Sequence, residues 1–126
     1  MVKNLILILL CFQFLMASTC ENHTVDDFAC TENIVSGLQV KVSLQNAALS
    51  NPSGVTVDAK DGLYSETLKQ NEGGINEFYG AFERKGNYII TITKNGYKTY
   101  TSNSIVVTAD RCHVIQHQVN VILQSE

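Results

Sequence analysis

Leu38, Val40, Val42 and Leu44 are apolar, and the residues between them, Gln39, Lys41 and Ser43, are polar. A period of two places alternate side chains on opposite faces of an extended chain, the pattern of a strand with one buried face. The same signal returns along the rest of the sequence. GVTVDAKDGLYSETL (54–68) holds two short strands around Asp61-Gly62, a dipeptide that tolerates positive φ and marks a hairpin. FYGAFERKG (78–86) runs into a turn at Arg84-Lys85-Gly86, and NYIITITKNGYKTY (87–100) puts Tyr88, Ile90 and Ile92 on one face before a turn at Lys94-Asn95-Gly96. NSIVVTA (103–109) and HVIQHQVNVILQ (113–124) complete the series, with Val119, Val121 and Leu123 facing inward. No segment has helical periodicity. The expectation is an all-β fold, a seven- to eight-stranded antiparallel Greek-key sandwich over residues 34–126.

The N-terminal stretch does not share this pattern. Lys3 precedes a predominantly apolar run, LILILLCFQFLM (5–16), followed by the small residues Ala17, Ser18 and Thr19. Twelve residues of helix reach only about 18 Å, short of a bilayer core of about 30 Å. The segment 1–19 therefore reads as an export signal rather than a permanent span. The whole chain carries 9 basic and 12 acidic side chains, a net of −3; loss of Lys3 with the signal leaves 8 against 12, a net of −4. With Arg84-Lys85 the only adjacent basic pair, no basic stripe is available to displace counterions from nucleic acid.

Export makes cysteine usage informative. Cys11 falls within the signal, leaving Cys20, Cys30 and Cys112, an odd number. Cys30 lies just before the first strand and Cys112 just before the last, and terminal strands are readily neighbours in a sandwich, so these two are expected to pair. Cys20 is then left over. Met16-Ala17-Ser18-Thr19-Cys20 resembles the lipobox of bacterial lipoproteins, although that pattern prefers Leu where Ala17 stands and Gly or Ala where Thr19 stands. Two readings stay open: lipidation of Cys20, or ordinary cleavage near Ala17 with Cys20 free. The polar segment 20–33 would serve as a tether, and it carries an N-glycosylation sequon at Asn22-His23-Thr24 that counts only in a eukaryotic host.

GNYIITITKNGYK (86–98), a Gly, a Tyr two residues on, alternating apolar residues and then Gly-Tyr, resembles the carboxypeptidase regulatory-like domain. GLQVKVSLQN (37–46) and GVTVDAKDGLYSETL (54–68) are similar to the opening strands of such domains. ADRCHV (109–114) is similar to a cysteine-containing turn in a bacterial exported subgroup, in which an early cysteine like Cys30 is the expected partner. The resemblance covers about residues 30–126 and implies a prealbumin-like, broadly immunoglobulin-like sandwich. It implies nothing about chemistry. In physical terms, Gly86 and Gly96 fall where the chain reverses, and Tyr88 can bury its ring while its hydroxyl reaches a backbone group.

Catalytic signals are sparse. His113 and His117 are four apart, about 13 Å along a strand, too far for one metal ion. Asp58, Asp61, Glu66, Glu72, Glu77 and Glu83 are dispersed over strands and turns. The transthyretin-like hydroxyisourate hydrolase uses a Tyr-Arg-Gly-Ser motif that this chain does not contain. The expectation is a non-enzymatic module of the cell envelope with no metal and no cofactor. It would sit in the periplasm or at the outer membrane through a lipid on Cys20, or be secreted. A ligand surface is expected in KQNEGGINEFYG (69–80), where Phe78 and Tyr79 would offer aromatic contacts to carbohydrate or to an envelope protein. The alternatives are a eukaryotic-type secreted glycoprotein of the same fold and a small hydrolase built on His113 or His117.

Overall fold

The structure, a computed structural model of the 126-residue chain, describes residues 29–46, 53–73 and 76–126. The expected signal, Cys20 and Asn22 lie outside the described residues. Among the described residues nine strands follow in order: β1 (Ser36–Leu44), β2 (Thr56–Asp61), β3 (Tyr64–Thr67), β4 (Lys69–Gln70), β5 (Glu77–Phe82), β6 (Gly86–Thr93), β7 (Tyr100–Thr101), β8 (Ile105–Val107) and β9 (His117–Leu123). They form two sheets, one ordered β4-β5-β1-β9 and the other β3-β2-β6-β7, with β8 also pairing β6. The described residues contain no helix.

The alternating residues close one core between the sheets. Leu38, Val40 and Val42 from β1 and Val121 and Leu123 from β9 cluster with Val57 and Ala59 of β2 and Tyr88, Ile90 and Ile92 of β6. Tyr88, Leu38, Ile90 and Ile92 are the largest of the fully buried side chains. At Gly37 the two sheets come close: a Cβ there would lie 2.7 Å from Val107 Cγ1 and 2.8 Å from the Ala81 carbonyl oxygen. Any larger residue would collide with backbone, so the approach depends on glycine.

Three details differ from the sequence reading. First, β1 and β9 run parallel, in register from Leu38↔His117 to Leu44↔Leu123, whereas the other ladders are antiparallel. A parallel pair needs a long crossover, and the whole intervening chain supplies one. Second, nine segments replace seven or eight. Residues 100–107 pair with β6 in two pieces, Thr101 and Tyr100 beside Thr91 and Ile92, then Val107 to Ile105 beside Gly86 to Tyr88. Third, the turn at Lys94-Asn95-Gly96 falls where expected, while the first hairpin is shifted by one residue and Gly86 belongs to a strand. Asp61 still pairs with Tyr64, so Gly62 (φ +58) and the fully exposed Leu63 form the two-residue loop, with glycine first as a type II′ turn requires. Gly96 (φ +78) takes the third position of a turn closed by Tyr97 N–H to the Lys94 carbonyl. Gly86 lies within β6, where its lack of a side chain admits Asp61: a Cβ would sit 2.5 Å from Asp61 Oδ2.

Candidate functional site

The end of β5 and the turn after it carry positive φ at two non-glycine residues, Ala81 (+52) and Glu83 (+49). This local twist reverses the alternation of β5. Phe78 and Gly80 point inward as period two demands, but Ala81 is also buried and Phe82 is turned out, 43% exposed. The Ala81 N–H donates to Glu66 Oε1 at 2.6 Å, and the Arg84 N–H donates to the Ala81 carbonyl at 3.1 Å, so the conformation is held at both ends. Phe82 thereby joins the outward-facing, half-buried Tyr79.

Tyr79 and Phe82, with Lys69, Gln70, Asn71 and Glu72, line an open groove of about 450 Å³ along the β4–β5 edge. The Tyr79 hydroxyl donates to Glu77 Oε2 at 2.7 Å and accepts from Gln39 Nε2 at 2.9 Å, which fixes the ring. Its bond to the Glu77 carboxylate, then burial and the Glu77 charge, raise its pKa above the usual phenol range, so it remains a neutral donor. An open concavity therefore lies along part of the stretch 69–80, where a ligand surface is expected from the sequence. One correction concerns Phe78, which is a core residue, 3% exposed, rather than a surface aromatic; Phe82 is the second aromatic residue that lines the groove. Alternation alone could not identify Phe82, because nothing in the alanine at 81 signals a left-handed residue.

Opposite features meet around the disulfide. Cys30 is bonded to Cys112, with Cα atoms 5.4 Å apart and the residues 82 positions apart in sequence, as the cysteine positions led one to expect. Beside it, Glu83 Oε1 accepts the Val35 N–H at 2.7 Å and lies 2.9 Å from His113 Nδ1, while Thr31 Oγ1 lies 3.0 Å from His113 Nε2. A carboxylate at Nδ1 calls for a proton there, so in the neutral ring Nε2 accepts from the Thr31 hydroxyl. The Val35 N–H is the main cause holding the Glu83 carboxyl below its usual range, with the His113 ring and Val114 N–H adding to it against some burial. Asp110 Oδ1 accepts from the N–H groups of His113 and Cys112, and these two bonds lower its pKa.

Thr31, His113 and Glu83 therefore stand in the order hydroxyl, imidazole, carboxylate, the order of a nucleophilic triad. A triad also needs donors aimed at a developing oxyanion. The backbone N–H groups of Cys112 and His113 are both committed to Asp110, and those of Val35 and Val114 to Glu83. The arrangement works as a clasp: it fastens the lead-in to β1 onto the β5–β6 turn and the bend before β9. His117 is separate, exposed at the start of β9 opposite Leu38. Among the described residues no cluster of three or more His, Cys, Asp or Glu could hold a metal ion.

Elsewhere the polar groups serve packing. Arg84 Nη1 bonds Asp61 Oδ2 at 2.8 Å and the Tyr88 hydroxyl at 2.7 Å, and that hydroxyl donates to the Arg84 carbonyl at 3.1 Å. These bonds, Tyr88 first and Asp61 next, raise the Arg84 pKa further above its already basic value. At the other end of β2 and β6, a polar concavity of about 700 Å³ is lined by Thr56, Thr93, Lys94, Tyr97 and Glu126 among others. Its Lys94 ammonium is bonded to the Ser53 carbonyl. Compared with protein-family models and with curated proteins, the chain matches none.

Proposed function

We propose that this chain is a non-catalytic, exported β-sandwich module of the carboxypeptidase regulatory-like type, with Greek-key, prealbumin-like connectivity. It is held at the cell envelope by a lipid on Cys20 and binds its ligand in the Tyr79–Phe82 groove. The observation that carries this reading is the Cys30–Cys112 disulfide. Such a bond persists in oxidising compartments and is rare in the cytosol, which supports the reading of residues 1–19 as an export signal. The grouping of two surface aromatic residues with amide and charged side chains is the usual make-up of a small-ligand site.

Metabolic labelling with palmitate tests the anchor. Wild type is expected to incorporate label and Cys20→Ala to lose it; equal labelling of both removes the anchor. Intact mass distinguishes the lipidated form from a secreted glycoprotein modified at Asn22, because acyl chains and a glycan add different masses.

A second reading, a hydrolase, draws on one observation, the Thr31–His113–Glu83 chain. Turnover of p-nitrophenyl acetate tests it. A rate equal to that of His113→Ala eliminates the hydrolase, and a rate lost in that variant supports it.

A further inference from the structure

We infer that the groove's ligand is a neutral polysaccharide chain lying across the outer face of the β4-β5-β1-β9 sheet, an inference that rests on the groove being the binding site. The register sets the track. Lys69 lies opposite Tyr79, Tyr79 opposite Gln39, and Gln39 opposite Gln118, so one outward row crosses all four strands. Strands are spaced about 4.8 Å apart, which makes the row about 14 Å long, the reach of a short oligosaccharide. The adjoining row runs from Glu77 through Lys41 to Asn120.

The chemistry along this track narrows the ligand. Aromatic faces carry negative potential, which favours the slightly positive C–H face of a pyranose ring, and Tyr79 and Phe82 supply two such rings at the groove. Amides donate and accept at once, matching hydroxyl groups that do the same; Gln39 and Gln118 provide two on the row, and Asn71 lines the groove beside it. One lysine and one glutamate in the groove, Lys69 and Glu72, balance each other, so there is no field to select an anion. The groove is open along its length, so it encloses no lipid chain. An added peptide strand is disfavoured as well, because β4, the edge it would pair with, is only two residues long.

Order is built in before the ligand arrives. Gln39 and Glu77 hold the Tyr79 hydroxyl, and the bonds at Ala81 and Arg84 hold the turn that presents Phe82. Side chains fixed in advance cost less entropy on binding.

Native electrophoresis of the oxidised, signal-processed protein through gels containing hydroxyethylcellulose, xyloglucan, galactomannan or alginate tests the inference. At least one neutral polymer is expected to retard wild type, with alginate without effect. Tyr79→Ala and Phe82→Ala should each weaken the apparent affinity about tenfold, and Gln118→Ala about threefold. Phe82 and Gln118 lie outside the core, so their variants keep the test valid if Tyr79→Ala folds poorly. Absence of retardation by every neutral polymer, retardation by alginate alone, or retardation unchanged in both Phe82→Ala and Gln118→Ala overturns the inference. Benzoylphenylalanine in place of Phe82, photolysed in cells, separates the two levels. Capture of a protein there, with no polymer bound, overturns the polysaccharide and leaves the groove as a binding site. No capture and no retardation overturns both.

Discussion

The Arg84 guanidinium lies 3.9 Å from the centre of the Tyr64 ring and 5.4 Å from that of Tyr88, while its nitrogen bonds Asp61 and the Tyr88 hydroxyl. Tyr64 and Tyr88 meet edge to face, centroids 6.3 Å apart at 79°. One cation thus ties the β2–β3 hairpin to the start of β6. The planar fork of arginine both stacks and bonds in two directions, which a lysine cannot reproduce. Arg84→Lys is expected to lower the urea midpoint, with the m-value unchanged. Tyr88→Phe keeps the ring in the core and removes only the hydroxyl, at a cost of about 1–2 kcal/mol by urea denaturation.

Removing the disulfide should weaken the fold more than any single surface change. Cys30 and Cys112 are 82 positions apart, and closing a loop of that size is worth about 4 kcal/mol in the chain-entropy account. Cys30→Ala with Cys112→Ala, or reductant added to wild type, should lower the unfolding free energy by that order. A change under about 1 kcal/mol would mean that the unfolded chain is already constrained there.

Acid should loosen the clasp. Glu83 is held below its ordinary range in the fold, chiefly by the Val35 N–H, so the unfolded chain takes up its proton first as pH falls. Its stabilisation is present above the ordinary glutamate value of about 4.3 and is lost as pH falls through the folded value. Glu83→Gln is expected to be less stable at pH 7 and to show a shallower loss between about pH 5 and pH 3. Some acid dependence should remain, because Asp110 is lowered in the same direction. Urea midpoints measured across this range check the prediction.

Gly37→Ala places a methyl group where Val107 and the Ala81 carbonyl already stand. The strands must part to admit it, at about 1–3 kcal/mol. Gly73→Ala, with nothing within 4 Å of its added carbon and no positive φ, serves as the control that leaves stability nearly unchanged.

Much of the sandwich was legible because period two writes a buried face directly into the sequence. Leu38, Val40 and Val42 in β1, and Val121 and Leu123 in β9, occupy the core faces that the alternation assigns. Cysteine position was informative for the same kind of reason, since few sites join the two ends of the fold. Strand direction was not legible: alternation is identical in parallel and antiparallel pairs, so the β1–β9 pairing could not be read. Phe82 escaped because a left-handed alanine breaks the alternation without any sequence mark. The Glu83–His113 and Thr31–His113 contacts escaped because they join residues 30 and 82 positions apart, and no local pattern encodes such separations.

The most direct measurement is the mass of the protein isolated from its native envelope fraction without reductant, followed by peptide mapping. The account predicts a chain beginning at an acylated Cys20, with Cys30 and Cys112 recovered as one linked peptide. A chain that still begins at Met1, with free thiols at 30 and 112, would contradict it.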